Sequence, residues 1–239
     1  MDSNPVLRPN RENEKMSAQE IPIPARLARR PKWKGVVVPF FVTWFKDGLI
    51  CNENEEGAQP SFPTTDARRA IVCRKQNRCW ICGTPLGSFK TFVFGPAGAI
   101  ARMSYEPPSH RDCARYAAMV CPYLTNPDHV HVTETGNYQL KQGESLIPDV
   151  APFNPGVTVL WITRDYDFHV RDPSRGVVVF MPSDPVSIEL YAQGRRATYK
   201  EAVDGIMKSI IANDMHKTGK AKELGWRVHQ LLSFAPPPS

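Results

Sequence analysis

The sequence predicts an α+β fold: a small zinc module of knuckle, β-hairpin and helix, packed with antiparallel sheet and C-terminal helices. Three observations carry this. Two pairs of metal-ligand residues, Cys79-x-x-Cys82 and His110-x-x-Cys113, stand in order with strand-forming sequence between them. Short β-branched and aromatic runs recur at 33–44 and from 157 to 191. After Thr198, two stretches with helical apolar spacing close the chain. The 23 prolines among 239 residues favour short elements and turns over long bundle helices.

The elements follow in chain order. Residues 1–28 read as a flexible or extended arm. Trp33 to Trp44 reads as one or two strands, interrupted at Pro39. Lys46-Asp47-Gly48 marks a turn and Asn52 to Pro60 a polar loop. A helix is expected from Asp66 to Gln76 with Thr65 as its N-cap. Cys79 to Gly83 forms the knuckle, where two thiolates bracket a tight turn. Lys90–Phe94 and Ala99–Met103 are expected as the two strands of a hairpin across Gly95-Pro96-Ala97-Gly98. Pro107 and Pro108 stop the pairing, and Ser109, with Asp112 three residues on, opens a helix that carries His110, Cys113, Ala117 and Cys121 and ends near Leu124.

Beyond a Pro- and Gly-rich connection at 149–156, strands are expected at Val157–Thr163, Phe168–Arg171, Val177–Met181 and Val186–Tyr191, together making an antiparallel sheet. The pair Thr198 and Glu201 is a capping box for a helix over Tyr199–Asn213 whose core side is Ala202, Val203, Ile206, Met207, Ile210 and Ile211. A last helix covers Lys220–Leu232. The chain thus divides into the arm, a zinc-containing region at 29–148, a strand-and-helix region at 149–235 packed on it, and a loose tail at 236–239.

Composition narrows the function classes. A charged fraction of 23% and an apolar fraction of 41% are ordinary for a globular chain. No apolar stretch nears the roughly 18 residues of a membrane span, and the polar start shows no apolar signal core, so a cytoplasmic location is expected. In such a compartment the six cysteines read as metal ligands and buried thiols rather than disulfides. The net charge of +6 is mild but locally concentrated: Arg68, Arg69, Arg74, Lys75 and Arg78, with Lys90 further on, are opposed only by Asp66. This group is the candidate nucleic-acid contact, with an acidic protein partner or a plain solvated face as the other readings; the Gly194-Arg195-Arg196 turn is a second small basic feature that could touch phosphate or face water.

Two thiolates from a turn and an imidazole and thiolate from a first helical turn suit one tetrahedral zinc ion. Four protein ligands close the shell, which makes the site structural. A redox role for the Cys pair would need a helix directly after it, and Gly83 to Gly87 is a poor helix start. Histidines His129 and His131, near Asp128 and Glu134, and His169, near Asp165, Asp167 and Asp172, are candidates for a second acid–base or metal site. There is no phosphate-binding loop, dinucleotide-binding glycine pattern or nucleophile elbow.

Cys79, Cys82, His110 and Cys113 together resemble the ligand set of the treble-clef zinc-finger group, in which knuckle, hairpin and helix assemble one site. The blocks Pro39–Trp44, Cys79–Gly83, Pro107–Cys113 and Cys121–Leu124 are similar to those of a family of bacterial and phage-associated proteins, over about Val36 to Ile206. That resemblance implies no particular activity, since treble clefs serve nucleases, RNA-binding proteins and protein-interaction modules alike. The expectation is a non-catalytic, zinc-stabilised binding protein acting on nucleic acid or a protein partner. The alternatives are a metal-dependent nuclease or hydrolase with its active site away from the zinc, and a structural or assembly component.

Overall fold

A computed structural model describes residues 21–127, 154–172, 177–217 and 221–237. Of the expected arm, residues 1–20 lie outside the described residues. Its end does not stay extended: the Leu27 and Ala28 amides donate to the Pro24 carbonyl at 2.8 and 3.0 Å, and Leu27 is buried. The 33–44 stretch resolves into β1 (Lys32–Trp33), β2 (Val36–Val37) and β3 (Val42–Lys46). Lys34-Gly35 and Asp47-Gly48 all take positive φ, the geometry of tight hairpin turns, and so fold β1 onto β2 and β3 onto β4 (Leu49–Cys51). The other side of β3 carries β5 (Gln59–Thr65), part of which was expected as loop. Its Pro60 and Pro63 are tolerated because β5 is an edge strand.

Helix α1 (Ala67–Gln76) is capped by Asp66 rather than Thr65, its carboxylate accepting from the Arg68 amide at 2.9 Å. After the knuckle comes β6 (Lys90–Phe94). Here the expected hairpin is overturned, because the return strand is instead helix α2 (Pro96–Ala101). Gly95 occupies the N-cap and Pro96 the first helical position, where its fixed φ is pre-set for a helix and its missing N–H goes unneeded. Ala97, Ala99 and Ala101 favour helix, and Ala99 and Ile100 are buried in the core. The Ser209 hydroxyl accepts from the Ala97 amide at 3.1 Å and ties the new helix down.

Helix α3 (Arg111–Val120) starts one residue later than expected, with His110 as N-cap. Ser109 is unavailable for capping because its backbone is paired with Thr91, by two hydrogen bonds of 2.8 Å. The helix breaks at Cys121, which Pro122 pushes to an extended conformation, and α4 (Pro122–Thr125) follows as a single turn.

The late strands are β7 (Thr158–Thr163), β8 (Tyr166–Asp172), β9 (Val177–Pro182) and β10 (Ser187–Ala192), with a short β11 (Arg195–Arg196). They do not form one sheet. The main sheet runs β11-β10-β7-β6, all antiparallel, while β8 and β9 form a separate two-stranded sheet that is bridged to Ser104 at Phe180. Strand β7 is buried along its whole length. Its alternating side chains serve two layers. Val159 and Trp161 join Phe92, Phe94, Ile188 and Leu190 in the larger core. Leu160 and Ile162 pack instead with Ala114 and Ala118 of α3.

The larger core is closed by α5 (Tyr199–Ala212) and α6 (Ala221–Leu232), joined through a short 3-10 turn at Met215–Lys217. The Thr198–Glu201 capping box forms as expected. The buried face of α5 is narrower than expected: Ala202, Gly205, Ile206, Ser209 and Ile210 face inward, whereas Met207 and Ile211 are exposed. Gly205 explains this rotation, because a Cβ there would lie 2.8 Å from the Val157 Cβ, so the helix backbone itself seats on the sheet.

Candidate metal centre

Local backbone chemistry shapes the knuckle before any metal is considered. The Cys79 amide donates to the Thr84 carbonyl and the Gly83 amide to the Cys79 carbonyl, both at 2.8 Å. Gly83 sits at φ 77°, and a Cβ there would meet the Phe40 ring at 2.7 Å, so only glycine fits. Arg78 braces the turn by donating to the Gly83 carbonyl at 3.0 Å. The second pair is delivered by the 107–110 segment: the Trp80 amide donates to the Pro108 carbonyl, and the Thr91–Ser109 pairing fixes His110 and the start of α3 beside the knuckle.

The result is a cluster of Cys79, Cys82, His110 and Cys113, all buried, whose four ligand atoms lie within 4.8 Å of one another. A tetrahedral zinc with its usual bond lengths places its ligand atoms about 3.5–3.8 Å apart. The 3.4 Å between Cys82 Sγ and His110 Nδ1 fits that shell. Cys79 Sγ accepts from the amides of Cys82 and His110 at 3.4 and 3.3 Å, and the Thr84 hydroxyl lies 3.1 Å from Cys82 Sγ. Such contacts favour thiolates. His110 Nε2 is 3.0 Å from the Pro85 carbonyl, a contact that would orient a ligating imidazole and leave Nδ1 free for a metal.

Charge in the cluster is lopsided. Hydrogen bonds from Cys113 and Cys79 pull the Cys82 thiol far down, while Cys79 and Cys82 together push Cys113 far up. Burial opposes the protonated His110, but the neighbouring Cys79 and Cys82 sulfurs outweigh it and raise the imidazole to about 10. A dication that displaces the protons on Cys113 and His110 satisfies all four groups at once.

The remaining sequence candidates separate from this centre. His129, His131, Asp128 and Glu134 lie outside the described residues. His169 stands on β8 opposite Val179, and among the described residues the Cys/His cluster is the one group of such side chains close enough to hold a metal. Cys73 is buried, with its thiol pushed up to about 12 by burial. Cys51 is buried on β4 and Cys121 half-buried where α3 ends.

The basic residues of α1 divide. Arg69 faces inward, bonded to the Phe40 carbonyl and paired with Glu53 and Asp66. Arg68 is exposed but forks onto Asp66, and Arg74 lies over the Phe168 ring at 5.0 Å. Lys75 is exposed.

A second charged constellation draws in Arg196 of the basic turn at 194–196 and gathers around Glu189, a residue the sequence did not single out. Glu189 lies on β10 with its side chain only 4% exposed, yet three arginines converge on it. Arg111 donates from Nε and Nη2 to Oε1 at 2.8 and 2.5 Å. Arg115, one helical turn on, donates from Nε to Oε2 and from Nη2 to Oε1 at 2.8 and 2.6 Å. Arg196 of β11 reaches Oε2 at 3.2 Å, and the Tyr191 hydroxyl donates to the same oxygen at 3.2 Å. Burial raises the carboxyl, but the hydrogen bonds and charges of Arg115 and Arg111 prevail and hold it at about 2. The signal was a charged residue inside an apolar strand, Ser-Ile-Glu-Leu-Tyr-Ala.

Family models, curated proteins and solved structures yield no match to this chain. No helix among the described residues is long and apolar enough to cross a membrane.

Proposed function

We propose that Cys79, Cys82, His110 and Cys113 bind one zinc ion and that the protein is a non-catalytic, zinc-stabilised binding protein of a reducing, cytoplasmic compartment. The observation that carries this is the convergence of four buried ligand atoms within 4.8 Å. Four protein ligands leave no coordination position for water, so the ion holds structure and activates no nucleophile. The local core supports this reading: around the cluster the buried apolar side chains are few, chiefly Leu27, Val37, Ile81 and Leu86, and the four Cys and His side chains complete the packing. Metal binding then supplies folding free energy that this apolar surface does not.

The working surface lies off the metal, on cationic faces that suit nucleic acid or an acidic protein. Arg68 and Lys75 are the members of the α1 group with most solvent access. The zinc reading is tested by native mass spectrometry and elemental analysis of protein purified without chelator. One zinc per chain, lost together with the folded state in Cys82→Ala, is the expected result. A fully folded, metal-free protein would overturn it.

A further inference from the structure

We infer that Arg111, Arg115 and Arg196 form a phosphate-contacting face for a nucleic-acid backbone; this rests on the reading of the protein as a binding protein and names its partner class. Three cations meet one carboxylate, so the cluster keeps two positive charges after Glu189 is satisfied. Neutralising a buried glutamate needs one arginine. Three guanidiniums held side by side repel one another, and an external anion relieves that repulsion.

The side chains are also presented outward. Arg111, Arg115 and Arg196 are 47%, 43% and 51% exposed while their shared partner is buried beneath them. The bonds to Glu189 use Nε and Nη2 of Arg111 and Arg115, which leaves their Nη1 groups without a partner among the described residues. A guanidinium fork already fixed by a carboxylate loses little further freedom on meeting a phosphate, and its planar donors match phosphate oxygens. The fold supplies the convergence. Arg111 and Arg115 share one face of α3, and the turn at Gly194, φ 76°, lays β11 against the end of that helix so closely that a Cβ would lie 2.9 Å from the Met119 carbonyl.

Among the described residues, neighbouring charges do not cancel the excess. Asp112 pairs with Arg26, Glu201 with Arg195 and Asp204 with Lys200, each a locally neutral pair. The aromatic ring of the cluster, Tyr191, is buried beneath Arg196 with the guanidinium 5.3 Å from its centroid. Among the described residues the face thus offers guanidiniums without the exposed aromatic anchor on which protein interfaces rely, and this favours a phosphodiester backbone over an acidic protein.

The test is fluorescence polarisation of labelled single-stranded and duplex oligonucleotides with the zinc-replete full chain between 50 and 300 mM salt, with a poly-glutamate peptide as competitor. Expected are affinity that falls log-linearly with salt, roughly 3- to 10-fold weaker binding in R115Q and in R196Q, and a salt slope shallower by about one in each. The double variant R68Q/K75Q reads the α1 surface in parallel, and K46Q, whose lysine faces Glu55, should bind as the parent does. Zinc content and melting temperature verify that each variant is folded, and Arg196, on a two-residue edge strand, is the safer of the two substitutions. Unchanged binding in both arginine variants overturns the proposal, as does loss in R68Q/K75Q alone, equal competition by poly-glutamate, or no binding at 50 mM salt. If those results come with one zinc per folded chain, the zinc-stabilised reading stands. A folded chain without zinc defeats that reading separately.

Discussion

Replacing Glu189 with glutamine isolates the electrostatic hub of the fold. The substitution preserves shape and leaves one oxygen to accept hydrogen bonds, but it removes the charge that three arginines share. In the folded protein the carboxyl titrates at about 2 against an ordinary 4.5. At about 1.4 kcal/mol for each tenfold change in proton affinity, that gap corresponds to about 3 kcal/mol. The guanidiniums are half exposed and water screens part of the attraction, which brings the expected loss to about 2 kcal/mol. Because the folded value lies below the unfolded one, the contribution is complete above pH 4.5 and disappears as pH falls toward 2. More than half is gone by pH 3. Urea unfolding of parent and E189Q, followed by tryptophan fluorescence at pH 7, 4 and 3, reads this directly. Acid effects on the Cys/His centre are common to both proteins and cancel in the difference. Equal stability at pH 7, or a difference that stays constant down to pH 3, would refute the reasoning.

Two glycines give independent checks on packing. Gly205→Ala should destabilise by about 1–3 kcal/mol in thermal unfolding, although alanine normally favours a helix, because the new Cβ would lie 2.8 Å from the Val157 Cβ. A stabilised variant would show that α5 does not seat its backbone on the sheet. Gly83→Ala combines a left-handed backbone with a 2.7 Å approach to the Phe40 ring, so it should both lower the melting temperature and speed zinc loss to a chelator. Parent-like chelation kinetics would separate the knuckle geometry from metal retention.

What the sequence reveals about this protein is mostly what is local. The two ligand pairs are visible because Cys79 and Cys82, and His110 and Cys113, are three residues apart, and the capping box at Thr198 because its two partners are. The same locality misled at 96–101. Gly95-Pro96 reads as a hairpin turn, but the same dipeptide is an N-cap and first residue of a helix, and only burial of Ala99 and Ile100 against α5 and α6 decides between them. Strand β6 was visible as a strand, yet its partner β7 begins at Thr158 and nothing near Lys90 announces it. The Glu189 cluster was hidden for the same reason, since Arg111 and Arg115 come from 78 and 74 residues away. On α5 the apolar spacing was right, but Gly205 and Ser209 turned the inward arc away from Met207 and Ile211.

The pairing of Ser109 with Thr91 has a further consequence. A β-sheet with an unpaired edge can recruit strands from other molecules. Here one edge, β11, is only two residues long, and the backbone of Ser109 covers part of the other at Thr91. Ser109 directly precedes His110, so whatever holds that histidine in place also keeps a guard on the sheet edge. Opening the cluster would release the guard, and a metal-stripped sample should self-associate through β6 as it unfolds. On the zinc-stabilised reading, the ligand set would guard against self-association as well as hold shape.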